Sequence, residues 1–402
     1  MIKRKIESLN EKFRVQLGLS AFFLFIAIPL SIKSGIVPIY MRSINNYSDS
    51  QVGLVVGVAS LIAMIFIPVW GTLDDKMNKT SKLLLIMCLV GSVTFAFLGM
   101  VKPFIMFIIV RIIYDVFTCA AWTIIDKTAI QTHEQYDIPY AHTRVLGSIG
   151  FSTCLLPILF LVNHFDSYYI VFIFGVVALL LAALATRLFQ PIDQKPLAKI
   201  TNKEEREQKN GNELLNLLKT KPYILLVLIH VLIFSASDVS GAFQGIHLVN
   251  TLGANEVAIS WVTFVSAGIS EVPLFLVATY FYKKFGWKKC LTVAVSCFFI
   301  RFIFEGFITS WQLFIVGKLI HGITISMSAS PLFMLIKENV PSTVYSRAIA
   351  YMVSIKSMLT AILSILIGQI IDVTGTTFSM YPFFIALTAC ALLILIYYRK
   401  KY

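Results

Sequence analysis

The chain alternates between long apolar runs and short polar connections along nearly its whole length. Most runs reach about 20 residues, the length that a helix needs to cross the hydrocarbon core of a bilayer. Strands do not explain the runs, because strands of a membrane barrel alternate in polarity, and only helices satisfy the backbone over such lengths in lipid. Twelve runs are predicted to be spanning helices, at about 15–41, 52–70, 83–101, 104–126, 144–163, 167–188, 223–250, 257–282, 290–308, 311–336, 345–372 and 377–398.

The composition agrees with a chain that lies mostly in lipid. Apolar residues make up 57% and charged residues 14% of the sequence, whereas soluble domains carry about 25% charged residues. The six cysteines lie in or beside apolar runs without C-x-x-C spacing, so we expect reduced thiols, no metal site and no cofactor. The net charge of +13 is located mostly in the connections, which argues against a nucleic-acid partner.

Lysine and arginine predict the orientation of the chain. The predicted outer connections hold only Arg42 and Lys102. Cytoplasmic connections carry the excess of basic residues, so we expect a multi-pass protein of the cell membrane, in contact with lipid, with both termini in the cytoplasm. The basic residues that face inward in this arrangement are Lys3, Arg4, Lys5, Lys76, Lys79, Lys82, Lys283, Lys284, Lys288, Lys289, Arg399, Lys400 and Lys401.

One long polar segment, 190–222, divides the chain into a predicted N-terminal half, 1–189, and a C-terminal half, 223–402. Each half has a basic tight turn after its second span, Asp75-Lys76-Met77-Asn78 in the first and Lys283-Lys284-Phe285-Gly286 in the second. Asn and Gly both tolerate a left-handed turn. The predicted fold class is therefore all-α integral membrane, with 12 transmembrane helices in two six-helix halves.

The segment 71–79, GTLDDKMNK, resembles the loop signature G-x-x-x-D-[RK]-x-G-[RK] of the major facilitator superfamily. Asn78 replaces the second glycine of that signature, and the resemblance extends over essentially the whole chain. It implies the major facilitator fold and a role in gating for Gly71, Asp75 and Lys76. The alternative is a charged turn that only sets topology.

Charged residues also lie inside the predicted spans, where each costs about 2.5–3.5 kcal/mol to insert. Eleven unpaired charges would oppose insertion by roughly 30 kcal/mol, so we expect them to face one another or a hydrated passage. Two pairs have the i, i+4 spacing at which a helix can neutralise its own charges. The eleven residues are Lys33, Arg111, Asp115, Asp126, Arg144, Asp238, Glu271, Arg301, Glu305, Lys318 and Lys356.

Within the superfamily, the chain resembles the branch that holds lactose permease and the phenylpropionate-type permeases. Asp126 ends span four and Arg144 opens span five, where that branch has a carboxylate–guanidinium pair that binds sugar hydroxyls. Phe151 matches an aromatic residue on which a sugar ring stacks, although the branch prefers Trp there. Trp122 shares a helical stripe with Asp126, and Lys33 is a substrate-facing candidate that either pairs with a carboxylate or attracts an anion.

The same resemblance implies a group of proton-coupling residues in the second half. Glu271 lies among small residues that let water approach, and it is a candidate proton carrier. Thr324 and Ile325 occupy the turn where the branch carries a further carboxylate, so either the coupling site is at Glu271, Glu305 or Asp126, or the coupling differs from that of the branch. The predicted coupling residues are Glu271, His321, Arg301, Glu305 and Lys318, and Asp238 and Lys356 are predicted to form a structural charge pair.

The predicted function is a proton-coupled symporter that imports a small polar solute, a sugar or oligosaccharide, by alternating access. Alternatives are uptake of an organic or aromatic acid or a nucleoside, export of a drug or metabolite, and a membrane receptor without transport activity. The sequence contains no Walker A, HExxH or G-x-S-x-G motif, so we expect neither an enzyme nor ATP-driven transport. The expected oligomeric state is a monomer.

Overall fold

A computed structural model describes residues 2–77, 79–136, 138, 140–165, 167–194, 220–340 and 345–402. Within these residues the chain is helical and has twelve segments long and apolar enough to cross a membrane, which confirms the predicted all-α fold. The first six are α1 (Ile2–Gly35, continued by Val37–Ser43), α2 (Asp49–Met77), α3 (Thr80–Met100), α4 (Phe104–Thr118 and Ala121–Tyr136), α5 (Tyr140–Thr153 and Leu155–Phe165) and α6 (Tyr169–Ala185). The others are α7 (Lys221–Ile246), α8 (Val257–Thr263 and Val272–Phe285), α9 (Trp287–Phe307), α10 (Trp311–Gly317, Leu319–Ser326 and Ala329–Asn339), α11 (Tyr345–Thr374) and α12 (Tyr381–Lys401).

Several spanning helices are interrupted. Helix α5 breaks at Cys154, because Pro157 has no backbone N–H to donate to the carbonyl of Thr153. Helix α10 breaks at Lys318, directly after Gly317. Such breaks allow a side chain or backbone group at mid-helix to take a direction that a regular helix would not permit.

Two helices contain wide π turns, which occur often at functional sites. The turn His247–Thr251 ends α7, and the turn Phe264–Glu271 lies between the two parts of α8. Pro273 follows the second turn and cannot donate a backbone hydrogen bond, which favours an irregular turn before it. Both π turns carry an ionisable residue, His247 in α7 and Glu271 in α8.

The described residues form two compact units. Unit 1 contains Met1–Tyr47 and Ile65–Lys199, and unit 2 contains Ser48–Met64 and Ile200–Tyr402. The first part of α2 thus packs within unit 2. The division of the chain into halves 1–189 and 223–402 stays a prediction. The predicted linker 190–222 lies mostly outside the described residues, since 195–219 are not among them.

The packing of α2 inside unit 2 depends on small residues and on one carboxylate. Gly53 of α2 lies against the backbone of Ser364 in α11, and Gly368 of α11 lies against the backbone of Asp49. Asp372 accepts hydrogen bonds from the backbone N–H groups of Asp49 and Ser50, each at 2.8 Å. These N–H groups begin α2 and have no partner within that helix, so Asp372 caps it.

The second basic turn places its glycine at a positive φ. Gly286 joins α8 to α9 with φ of 78°, a left-handed value that a glycine adopts without steric cost. Its counterpart in the first half, Asn78, lies outside the described residues.

Candidate functional site

The first group of site residues lies in unit 1, where α4 and α5 meet. Arg144 Nε lies 3.3 Å from Asp126 Oδ1, and both side chains are partly exposed. The Arg144 guanidinium lies over the Trp122 ring, 4.4 Å from its centroid. The structure therefore brings together three of the predicted substrate-binding residues as a carboxylate, a fork of N–H donors and an indole face.

Gly147 makes this arrangement possible. A Cβ atom at position 147 would lie 2.8 Å from the Trp122 ring, closer than such atoms approach, so only glycine leaves room for the indole beneath Arg144. Phe23 of α1 packs edge-on against Trp122, with 5.6 Å between the ring centroids. The indole is thus held from two sides, which limits how far Arg144 can move.

Phe151 joins this region through its backbone. Its carbonyl accepts a hydrogen bond of 2.7 Å from Ser31 of α1, and its side chain is half-buried. The stacking role of the Phe151 ring stays a prediction. The Arg144 guanidinium lies over the Trp122 ring, and its distance to the centroid of the Phe23 ring is larger, 5.8 Å.

Lys33 belongs to a second, more deeply buried group in unit 1. Asp115 Oδ2 lies 2.5 Å from Arg111 Nε, and Asp115 Oδ1 lies 3.2 Å from Lys33 Nζ. The i, i+4 spacing predicts the first contact, whereas the second joins α1 to α4. Two cations share one carboxylate, so this group carries one surplus positive charge, and Lys33 remains 22% exposed.

The predicted coupling residues lie in unit 2, where they form one connected network. Glu305 Oε1 lies 2.8 Å from Arg301 Nε and 2.7 Å from Lys318 Nζ. The side chains of all three are at most 2% exposed. Glu305 is therefore the shared counter-ion of two buried cations, one from its own helix α9 and one from the break in α10.

His321 connects this buried network to Glu271. Arg301 Nη1 lies 2.7 Å from His321 Nδ1. An arginine can only donate, so Nδ1 is the acceptor, and a neutral His321 carries its hydrogen on Nε2. His321 Nε2 lies 3.9 Å from Glu271 Oε2, and Glu271 is 18% exposed. Of the two carboxylates in this network, Glu271 is thus the one that is not fully buried.

A close approach of α8 and α10 brings Glu271 and His321 together. Ser270 donates a hydrogen bond of 2.5 Å to the carbonyl of Leu319 and accepts one of 3.0 Å from the backbone N–H of Gly322. A Cβ atom at position 322 would lie 2.5 Å from the carbonyl oxygen of Ser270. The absence of a side chain at Gly322 therefore sets the distance between the neighbouring residues Glu271 and His321.

We expect the substitution Gly322→Ala to separate α8 from α10 and to lower the free energy of unfolding by about 1–3 kcal/mol, because an added methyl group overpacks a tight contact. Thermal unfolding of the purified protein in detergent would measure this. Gly241→Ala is a matched control, since nothing lies within 4 Å of a Cβ atom added there. Equal stability of the two variants would contradict the proposed role of Gly322.

Asp238 and Lys356 lie together, as the prediction of a charge pair requires. Lys356 Nζ is 2.6 Å from Asp238 Oδ2, and the carboxylate is partly exposed. Ser235 of α7 donates a hydrogen bond of 3.1 Å to the carbonyl of Lys356, which ties α7 to α11 at the same level. The structural role of the pair stays a prediction.

The structure shows few contacts for the described residues of the loop signature. Lys76 is exposed, and nothing lies within 4 Å of a Cβ atom added at Gly71. The side chain of Asp75 lies outside what the structure describes. Asp74, which was not among the predicted site residues, is buried beside them. The gating role of Gly71, Asp75 and Lys76 stays a prediction.

Asp74 holds three helices together. Its Oδ2 atom lies 2.8 Å from Lys127 Nζ of α4, and its Oδ1 atom accepts a hydrogen bond of 2.6 Å from Thr80 Oγ1 of α3. Two further carboxylates without a predicted role also join distant segments, Asp193 to Ser81 and Asp372 to the start of α2. Only the position of Asp74 inside the loop signature could have drawn attention to it from the sequence.

Among the described residues, no group of three or more His, Cys, Asp or Glu side chains is placed to hold a metal ion. Unit 1 offers donors, acceptors and an aromatic face, whereas unit 2 offers a carboxylate that touches a histidine.

Comparison with known proteins assigns the chain to a family. The profile of the MFS_1 like family matches residues 16–385. A maltose permease of Geobacillus stearothermophilus is 22% identical over 366 residues, which cover 91% of this chain and 90% of that protein.

Two solved structures share the fold. A mutant of the nucleoside transporter NupG superposes with a TM-score of 0.79 at 15% identity, over 96% of this chain and 99% of that one. A D-xylose-proton symporter superposes with a TM-score of 0.67 at 16% identity, over 95% and 97% of the two chains. These identities are low, so the likeness concerns the fold.

Proposed function

The chain belongs to the MFS_1 like family of multi-pass membrane transporters, which are not enzymes, and we propose that it imports a sugar or oligosaccharide together with protons. Transport would proceed by alternating access, with the protein in the cell membrane and both termini in the cytoplasm. Membership of the family makes the chain a transporter. The class of solute, the coupling to protons, the cell membrane as location and the cytoplasmic position of the termini are proposed.

The observation that supports a sugar most directly is the Asp126–Arg144 pair on the Trp122 indole. Sugar hydroxyls act as donors and acceptors at once, so a carboxylate beside a guanidinium offers both partners. An aromatic face can in addition pack against the C–H groups of a sugar ring. The similarity to a maltose permease and to a D-xylose-proton symporter favours the same class of solute.

The contact between Glu271 and His321 supports proton coupling. A proton carrier must exchange with water and must have a second group that responds to its charge. Glu271 meets the first condition because it is partly exposed, and His321, whose Nε2 lies 3.9 Å from the Glu271 carboxylate, meets the second. Glu305 is less suited, since it is fully buried between two cations.

The proposal is tested by uptake into proteoliposomes. We expect radiolabelled maltose to accumulate when the outside is acidic, and a protonophore to abolish the accumulation. Labelled uridine and labelled phenylpropionate, each tested alone and as a competitor of maltose, represent the alternative solutes. Accumulation of either of these with no uptake of maltose or other sugars would contradict the proposed solute class.

Arg144→Lys should reduce sugar affinity by roughly 10- to 100-fold, since lysine keeps the charge but loses the planar fork and the contact with the indole. Asp126→Asn should have a similar effect through the loss of the charged acceptor. The KM of uptake, or displacement of labelled sugar, measures both changes. Arg187→Lys, in the short turn Thr186–Leu188 that follows α6, is a matched control.

An anionic solute is the second candidate, and the surplus positive charge of the Lys33–Arg111–Asp115 group favours it. Lys33→Gln would then lower the affinity for phenylpropionate and leave the affinity for maltose unchanged. A loss of sugar affinity in this variant would instead place Lys33 in the sugar site.

A further inference from the structure

Three of the buried polar atoms of unit 2 that lack a hydrogen-bond partner among the described residues belong to side chains on three neighbouring helices. They are His247 Nε2 at the end of α7, Glu305 Oε2 in α9 and Tyr381 Oη at the start of α12. The three residues are at most 1% exposed. A buried polar atom without a partner costs about 1–3 kcal/mol, so three of them in one region call for an explanation.

The surroundings of His247 fix the direction of its ring. The other ring nitrogen, Nδ1, lies 2.6 Å from Thr377 Oγ1, which in turn lies 2.6 Å from Thr251 Oγ1. The rings of Phe314, Phe378 and Tyr381 lie around the imidazole at centroid distances of 5.2, 5.1 and 5.2 Å. The π turn that begins at His247 therefore places an imidazole among aromatic rings, with one nitrogen satisfied and one not.

Glu305 and Tyr381 meet where α9 packs directly on α12. A Cβ atom added at Gly306, the residue after Glu305, would lie 2.9 Å from the Cβ atom of Tyr381. Lys318, whose ammonium contacts Glu305, lies over the Phe314 ring, which in turn packs against His247. Arg301 and Lys318 both contact Oε1, which leaves Oε2 available on the other side of the carboxylate.

We propose that His247 Nε2, Tyr381 Oη and Glu305 Oε2 bind one internal water molecule. Buried waters typically make about three hydrogen bonds to otherwise unsatisfied polar groups. The chemistry of the three atoms is suitable, because the phenol is donor and acceptor, the carboxylate oxygen is an acceptor, and the imidazole nitrogen takes either role with its tautomer. The water donates one hydrogen bond to Glu305 Oε2. It forms one further hydrogen bond with His247 Nε2 and one with Tyr381 Oη, as donor or acceptor according to the histidine tautomer.

The water site positions the proton-coupling network. A carboxylate held at both oxygens cannot rotate, so Oε1 stays on Arg301 and Lys318, and Arg301 stays on His321. His247 and Tyr381 are thus positioning residues that act on Glu271 through Glu305, Arg301 and His321. This role, unlike the water site itself, rests on the proposed proton coupling.

The charged and titratable groups around Glu305 come from four helices, and a change in the water site acts through them. They are Arg301 of α9, Lys318 and His321 of α10, His247 of α7 and Tyr381 of α12. Of these, Tyr381 can lose its hydrogen-bonding atom with almost no change of shape.

The first test compares Tyr381→Phe with Tyr40→Phe by thermal unfolding in detergent. Tyr40 is a calibrant from unit 1, since its buried hydroxyl donates a hydrogen bond of 3.0 Å to the carbonyl of Gly99. We expect both variants to unfold a few degrees below the wild type, because each loses a satisfied hydroxyl. An unchanged or raised unfolding temperature for Tyr381→Phe alone would overturn the water site, since removal of an unsatisfied hydroxyl relieves the protein of its cost.

The second test measures maltose uptake against pH in proteoliposomes. We expect Tyr381→Phe and His247→Phe to displace the pH profile, whereas Tyr40→Phe, which is also buried but lies outside the network, leaves it in place. Profiles that superpose with the wild type would overturn the positioning role.

The two tests also separate failure of this inference from failure of the proposed function. If maltose uptake by the wild type does not depend on the pH gradient, the proton-coupled function is wrong and the positioning role is wrong with it. The unfolding temperature of Tyr381→Phe still decides whether the hydroxyl is satisfied. An experimental density map at about 2 Å resolution should show a water oxygen within roughly 3.2 Å of each of the three atoms, and direct contact between them instead would overturn the site.

Discussion

Replacement of Glu271 by glutamine should abolish solute accumulation driven by a pH gradient while exchange of labelled for unlabelled solute continues. Glutamine keeps the shape of the side chain and its place near His321, but it cannot take up and release a proton. A transporter whose coupling carboxylate is neutral still binds and moves its solute, but only down the concentration gradient. Proteoliposome accumulation and counterflow, measured side by side, separate the two activities.

Glu256→Gln is the matched control for this substitution. Glu256 precedes the first part of α8 and lies outside the network of Glu305, Arg301 and His321. We expect this variant to accumulate solute as the wild type does. Accumulation by Glu271→Gln at the wild-type level would show that another group carries the proton, and Asp126 would be the next carboxylate to replace.

Replacement of Glu305 by glutamine should lower the free energy of unfolding by about 3–5 kcal/mol, the cost of leaving a buried charge without its partner. Glu305 neutralises both Arg301 and Lys318, and neither cation can reach water. The measurement is unfolding of the purified protein in detergent, by temperature or denaturant. Glu338→Gln is the control, since Glu338 is exposed near the end of α10.

A second substitution tests whether the charge balance is the cause. The double variant Glu305→Gln, Lys318→Met removes one buried cation together with the carboxylate, so we expect it to recover part of the lost stability. If Glu305→Gln unfolds at the same temperature as Glu338→Gln, the charges of Arg301 and Lys318 are balanced in another way and the interpretation of the network is wrong.

The fold could be predicted almost completely from the sequence. The number and approximate positions of the spans follow from the apolar runs alone, because a helix in lipid must be long, continuous and apolar. The breaks inside the spans are less visible. Pro157 marks the break in α5, but the π turn at His247 has no comparable signal, since it depends on how α7 packs against α12.

The candidate site could be predicted in part. Charges within spans are rare, so Lys33, Glu271 and Lys356 were recognisable as individual residues. Contacts within one helix were recognisable too, as Arg111–Asp115 and Arg301–Glu305 show. Asp74 and Tyr381 were not, because an acidic residue in a polar turn and a tyrosine at a helix start are common in any membrane protein.

The sequence by itself determined which residues enter the membrane and which of them carry charge, because insertion depends on local length and polarity. Only the tertiary structure decided the partners between helices, including Lys318 with Glu305, His321 with Arg301, and Lys33 with Asp115. Helical spacing specifies a direction on one helix but not which helix lies opposite. That choice depends on close packing at small residues such as Gly322 and Gly147, whose effect appears only when the helices are in contact.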